Sequence, residues 1–221
     1  MNPDLYPVLR VATLGLIAGY VDAVGYVELH GIYSAAMTGN STTFGVSLAR
    51  HDWGRVASVG TVLGLFFMGA LGAAIVRRSL RQWRYEWLWI AALLLLAQFV
   101  HWSHAADTSS RTETLLLTVA MAMAMQGEVL SRFSGASVQT IVVTNNIIKF
   151  ANNIIAYLWG LKDGKWALSP ISMLPGLGWG CCIAGAFLSV PARDLTSAFF
   201  LFPIPLLIAL CFLHTADLQE G

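Results

Sequence analysis

The chain has 221 residues, 57% of them apolar and only 11% charged, with a formal net charge of +1 and a mean hydropathy of +0.66. A soluble domain carries roughly a quarter charged residues, so this composition calls for lipid as solvent. The near-neutral balance excludes a nucleic-acid partner, because phosphates demand Lys and Arg gathered on an aqueous face.

A helix of roughly 18 or more apolar residues crosses a hydrocarbon core about 30 Å thick. The pattern predicts such spans near 8–29, 56–76, 87–104, 113–130, 168–190 and 195–214. The first is expected to be retained rather than cleaved as a signal peptide. Its leading region carries only Arg10, Asp22 interrupts it, and no small-residue cleavage site follows. A carboxylate in mid-span costs at least about 2.5–3.5 kcal/mol on insertion scales, so Asp22 is expected to face the bundle interior and to have a partner. Gly15 and Gly19 on the same span, and Gly60, Gly64 and Gly69 on the next, are predicted packing seams where helix backbones approach closely.

Between those two spans lies a polar stretch near 32–49 that contains Met37-Thr38-Gly39-Asn40-Ser41-Thr42-Thr43. Glycine, hydroxyls and an amide together suit a helix break beside a cavity, where freed backbone groups must be satisfied again. The plainer alternative is a kink held by Ser and Thr bonds to backbone. Arg77, Arg78, Arg81 and Arg84, followed by Trp83, Trp87 and Trp89, read as a cytoplasmic anchor at the membrane interface. His101 and His104 sit at a boundary beside Trp102 and are not expected to bind metal.

Span 113–130 carries Met121, Met123 and Met125, which spread around a helix as packing residues, and then Gln126 and Glu128. A second polar stretch near 137–159 follows, in which Asn146, Lys149 and Asn153 share one helical face and Asn145 and Asn152 flank it. Such a stripe either lines a solute cavity or hydrogen-bonds to neighbouring helices. Gly176, Gly180 and Gly185 predict another seam. Cys181, Cys182 and Cys211 fall inside apolar spans as small packing residues, giving neither a disulfide framework nor a metal site.

Aligning Met37-Thr38-Gly39-Asn40 with Val143-Thr144-Asn145-Asn146 sets Asp22 opposite Glu128, and the two glycine triplets share one spacing. The chain therefore reads as one membrane domain, 1–221, built of two repeats over about 8–104 and 113–214. If both polar stretches crossed the membrane, the eight spans would divide the basic residues evenly between its two sides. If both enter and return, six spans remain and the basic residues concentrate inside, as positive-inside orientation favours. The expected fold is an all-α polytopic bundle of two inverted repeats, each with three spans and one re-entrant segment.

Gly19-Tyr20-Val21-Asp22-Ala23-Val24-Gly25-Tyr26 with Met37-Thr38-Gly39-Asn40 resembles the opening signature of the YoaK-like family of bacterial membrane proteins, a family of unknown function. Met125-Gln126-Gly127 and Val143-Thr144 resemble its second signature, with Gly127 and Asn145 where that signature more often reads Asn and Gly. The resemblance implies a multi-spanning inner-membrane protein and assigns no substrate.

The expected function is a small-solute transporter or channel with its site near mid-membrane between the repeats. Asp22, Thr38, Gly39, Asn40, Gln126, Glu128, Thr144, Asn145, Asn146 and Lys149 are the candidate site residues, with Lys149 as counter-charge to Asp22. The alternative is a non-transporting assembly or regulatory protein. An enzyme is not expected, since neither His-Glu-x-x-His nor Gly-x-Ser-x-Gly occurs. No cofactor is expected. The expected partners are a small molecule or ion and the bilayer, and a chain of 24.0 kDa leaves room for a homodimer.

Overall fold

The computed structural model describes residues 5–79, 86–103, 108–130, 143–162 and 170–217. They form α1 (Leu5–Glu28), α2 (Met37–Ala49), α3 (Trp53–Ser79), α4 (Glu86–Ser103), α5 (Thr108–Leu130), α6 (Val143–Lys162), α7 (Pro170–Leu195), a 3-10 turn (Phe199–Leu201) and α8 (Ile204–Asp217). No strand occurs among the described residues. Segments Leu5–Glu28, Trp53–Ile75 and Ser172–Leu195 are long and apolar enough to cross a membrane, and shorter apolar helices occur at Trp89–Ser103, Leu117–Gly127 and Phe199–Leu210. Large apolar side chains point outward, Phe67 at 66% and Phe187 at 74% exposure. That arrangement belongs to a protein whose solvent is lipid.

In lipid, helices gain little from hiding apolar surface from one another, so close backbone packing has to hold them together. The longest seam joins α1 and α7. A Cβ on Gly15 would stand 2.8 Å from the Gly178 carbonyl oxygen, one on Gly19 would overlap the Cys182 carbonyl, and one on Gly185 the Leu16 carbonyl. Val11 packs with Leu174 near one end, and Glu28 pairs with Arg193 at the other. The two helices are therefore parallel. A second seam joins α3 and α5, with Gly69 against Met121 and Ala124.

The predicted glycine seam is corrected at two positions. Among the described residues, Gly64 and Gly180 have no atom within 4 Å of where a Cβ would lie. Gly60 and Gly176 instead seat aromatic rings, Phe44 on α2 and Phe150 on α6. Each glycine of the first triplet has the same kind of surroundings as its counterpart in the second.

The last predicted span, 195–214, is not one helix. α7 continues to Leu195, and α8 begins only at Ile204, after the 3-10 turn. Pro203 and Pro205 lack the N–H that a helix interior needs, so a helix starts beside them rather than passing through them. Gln98 of α4, buried in an apolar run, holds the interruption. Its Nε2 donates to the Ser197 carbonyl at 2.8 Å and its Oε1 accepts from the Phe200 amide at 3.0 Å, while the Tyr20 hydroxyl donates to the Phe199 carbonyl at 2.8 Å.

α2 has 13 residues, a rise of about 20 Å, too short for a crossing. Its path shows where it goes. The Arg55 guanidinium, at the start of α3, donates to the His30 and Gly31 carbonyls at 2.7 and 3.1 Å. α3 thus begins at the end of the bundle where α1 finishes, and the segment between them enters and returns. α6 mirrors this from the other end. Its first residues lie near Cys182, midway along α7, Phe150 lies over Gly176, and Asn153 Nδ2 donates to the Ser172 carbonyl at 2.6 Å. It therefore runs antiparallel to α7, back toward the end where α7 starts.

Candidate functional site

The site is built by the hairpin between α1 and α2. α1 ends in two left-handed residues, His30 (φ 54°) and Gly31 (φ 82°), whose carbonyls Arg55 takes up. The chain then folds back along its own path. Asn40, 1% exposed, accepts from the Tyr33 amide at 3.0 Å and donates to the Tyr33 carbonyl at 2.7 Å, so one side chain satisfies both backbone groups of that residue. The Tyr33 ring rests on Gly39, 3.2 Å from where a Cβ would be, and on the Tyr26 ring. Ser34 packs against Gly25 so closely that no Cβ would fit there.

α2 has no side-chain cap of its own, since Ala36 occupies its N-cap. Asp22 supplies one from α1. Its Oδ1 accepts from the Ala35 and Ala36 amides at 2.7 and 3.3 Å. A carboxylate at a helix start meets both the orphan amides and the positive end of the helix dipole. Most of the motif Gly19 to Tyr26 with Met37 to Asn40 is thereby accounted for as a scaffold that fixes one helix tip beside one carboxylate.

That tip opens on a cavity of about 250 Å³ lined by α1 (Ala18, Asp22), the hairpin (Ala35, Ala36), α2 (Met37, Thr38), α3 (Phe66), α6 (Val143, Thr144) and α7 (Cys182). Phe66 and Cys182 lie near the middles of their helices, so the cavity is at mid-depth. Six of its residues form three pairs under the sequence correspondence between halves: Met37 with Val143, Thr38 with Thr144, and Phe66 with Cys182. The starts of α2 and α6 face it from opposite ends of the bundle. The hydroxyls of Ser41, Thr42 and Thr43 donate to carbonyls four residues back, whereas those of Thr38 and Thr144 make no hydrogen bond among the described residues.

Of the residues expected at the site, the cavity gathers Asp22, Thr38 and Thr144. Gly39 and Asn40 stand behind it and shape the hairpin. Asn146, at the position matching Asn40, is likewise 1% exposed, and Asn145 is partly buried beside it. Gln126 is fully buried and donates to the Leu14 carbonyl at 2.8 Å, tying α5 to α1. The side chain of Glu128 lies outside the described residues, as does His104. His101 packs edge-on against Phe199.

Lys149 is not the partner of Asp22. It sits partly buried on α6, away from the cavity wall, with an interaction of its own, while the hydrogen bonds of Asp22 go to backbone amides. The Asp22→Asn and Lys149→Gln changes are accordingly expected to be additive in melting experiments, within about 0.5 kcal/mol. A coupling energy clearly above that in a double-mutant cycle would restore the ion pair.

Bundle and cavity together define a helical membrane protein with a mid-depth pocket in which one carboxylate and two hydroxyls stand among apolar walls. Residues 11–213 match the family model described as a protein of unknown function (DUF1275), and the chain belongs to that family, as the YoaK-like signature implied. No curated protein and no solved structure matches it.

Proposed function

We propose that the chain is a small-solute transporter or channel of the bacterial inner membrane, and that its solute passes through the mid-depth cavity between two inverted repeats. The observation that carries this reading is the meeting of α2 and α6, whose starts reach one cavity from opposite ends of the bundle beside an intramembrane carboxylate. Interrupted or short helices in corresponding halves mark binding sites in secondary transporters, because irregular backbone at membrane depth persists where it borders a cavity. The matched surroundings of the glycine pairs support the duplication. The reading assigns no catalysis.

The cavity contains its own probe. In a variant with Cys181→Ala and Cys211→Ala, alkylating Cys182 places a bulky group beside Asp22. Flux of a permeant solute into proteoliposomes is expected to fall at least about tenfold, as a blocked site requires, while a Cys182→Ala control stays unaffected. If a broad panel of ions and small metabolites gives no flux above protein-free vesicles, the transport reading is wrong and a non-transporting assembly or regulatory role replaces it.

Topology has a separate check. The six-span arrangement puts Arg10 and the end of α8 in the cytoplasm, so a reporter fused after Asp217 that works only there is expected to be active. Activity only from a periplasmic reporter would overturn the inverted arrangement.

A further inference from the structure

We propose that the cavity binds a small neutral solute that donates hydrogen bonds, of the polyol or amide class, and rejects ions of either sign. This rests on the transport reading for its purpose, but its physical basis is separate.

Charge decides first. Among the described lining residues, Asp22 is the one charged side chain. The starts of α2 and α6, which also line the cavity, each act as about half a positive charge. One carboxylate and two helix starts sum to nearly zero. An ion entering such a space would give up hydration at a cost of several kcal/mol and meet no net counter-charge to offset it. A neutral solute avoids that cost.

Hydrogen-bond capacity narrows the class. Asp22 Oδ1 accepts from the Ala35 and Ala36 amides, and the Ser34 amide also bonds to the carboxylate. An ionised carboxylate offers about four acceptor sites and can only accept, so capacity for a further donor is left. The solute must therefore donate. The Thr38 and Thr144 hydroxyls, uncommitted among the described residues, donate or accept as needed. Ala18, Met37, Phe66 and Val143 give apolar walls for a short carbon skeleton. At about 250 Å³ the space falls below the roughly 300–1,000 Å³ of pockets for drug-sized ligands.

The test uses full-length protein in nanodiscs with Cys182 as its only thiol, and reads the rate of alkylation by N-ethylmaleimide. Glycerol and urea are the neutral probes; methylammonium and nitrate are the ionic ones. Glycerol or urea is expected to slow alkylation saturably, by about threefold or more above its dissociation constant, and the two ions are expected to leave the rate unchanged. Joint Thr38→Ala and Thr144→Ala changes break no internal bond and are expected to weaken protection by the neutral probe about tenfold. In Asp22→Asn the helix starts lose their balancing charge, so nitrate is expected to begin to protect.

Protection of the parent by methylammonium or nitrate would overturn the proposal. So would a failure of both neutral probes, unchanged protection in the Thr variant, or a folded Asp22→Asn protein that ignores nitrate. If Asp22→Asn does not fold, the Thr variant and the parent panel still decide. Flux that Cys182 alkylation blocks, without protection by a neutral probe, would remove this inference and leave transport standing; protection without flux would do the reverse.

Discussion

Gly19→Leu is expected to abolish folding, and Gly64→Leu, with the same change in composition, to leave it intact. At Gly19 even a Cβ would occupy the space of the Cys182 carbonyl. That atom belongs to the backbone of α7 and cannot swing aside as a flexible side chain would. Accommodating Leu means separating α1 from α7 along the longest helix contact of the bundle and forfeiting the dispersion contacts that hold membrane helices together. The cost is expected to exceed about 4–5 kcal/mol, the range of the most damaging single substitutions. Gly185→Leu meets the Leu16 carbonyl from the other side of the seam and should behave alike. Gly64 and Gly180 face open space among the described residues, so Leu there adds lipid-facing surface and is expected to change stability by no more than about 0.5 kcal/mol. Yield of monodisperse protein and melting temperature in detergent give the readout. A folded Gly19→Leu protein with a normal melting temperature would show that α1 and α7 do not meet backbone to backbone at Gly19.

The contrast shows what the sequence could and could not convey. Apolar run length reveals spans because lipid thickness is a property of the solvent, and α1, α3 and α7 were legible for that reason. The spacing of Gly60, Gly64 and Gly69 says that small residues recur, but not which of them face a neighbour. At about 100° per residue, the nine steps from Gly60 to Gly69 amount to about two and a half turns and leave the two on opposite faces, so the triplet cannot form one seam. Gly60 turns to α2 and Gly69 to α5, leaving Gly64 outward. The site was half legible for a related reason. A polar stripe such as Asn146, Lys149 and Asn153 suggests a helix lining a cavity with its side, yet α2 and α6 reach this cavity end-on. Among the described residues only the first of each helix, Met37 with Thr38 and Val143 with Thr144, touch it, and further along α6 Asn153 turns to the backbone of α7. Thr38 and Thr144 were found because they occupy those tips. Lys149, a turn further on, was misplaced for want of that geometry. Gln98 left almost no signal, a single amide in an apolar helix whose partners are backbone groups about a hundred positions away.

Asp22→Ala is expected to release the hairpin that shapes the cavity while leaving the bundle assembled. The change removes the acceptor for the Ala35 and Ala36 amides, each a charge-assisted bond of about 1.5–3 kcal/mol. It also uncaps α2, which Ala36 cannot remedy. Asn40→Ala attacks the same hairpin from its other strand, stripping both backbone groups of Tyr33 of their partner at about 1–3 kcal/mol each if they stay buried. Asp22→Asn keeps an oxygen where Oδ1 stood and loses only the charge assistance, so it should lie between these variants and the parent. The order is the diagnostic part, since a carboxylate that served solute alone would leave hairpin stability unchanged in both Asp22 variants while Asn40→Ala still loosened it. Hydrogen exchange read by mass spectrometry over residues 29–40 separates the cases. Fast exchange in Asp22→Ala and Asn40→Ala, an intermediate rate in Asp22→Asn and unchanged protection across α1 and α7 is the expected result. Because the hairpin positions Thr38 at the cavity wall, the same order should appear in solute flux, with Asp22→Ala losing more than Asp22→Asn. Parent-like exchange in Asp22→Ala would mean that the carboxylate does not hold α2, and the scaffold role assigned to it would fall.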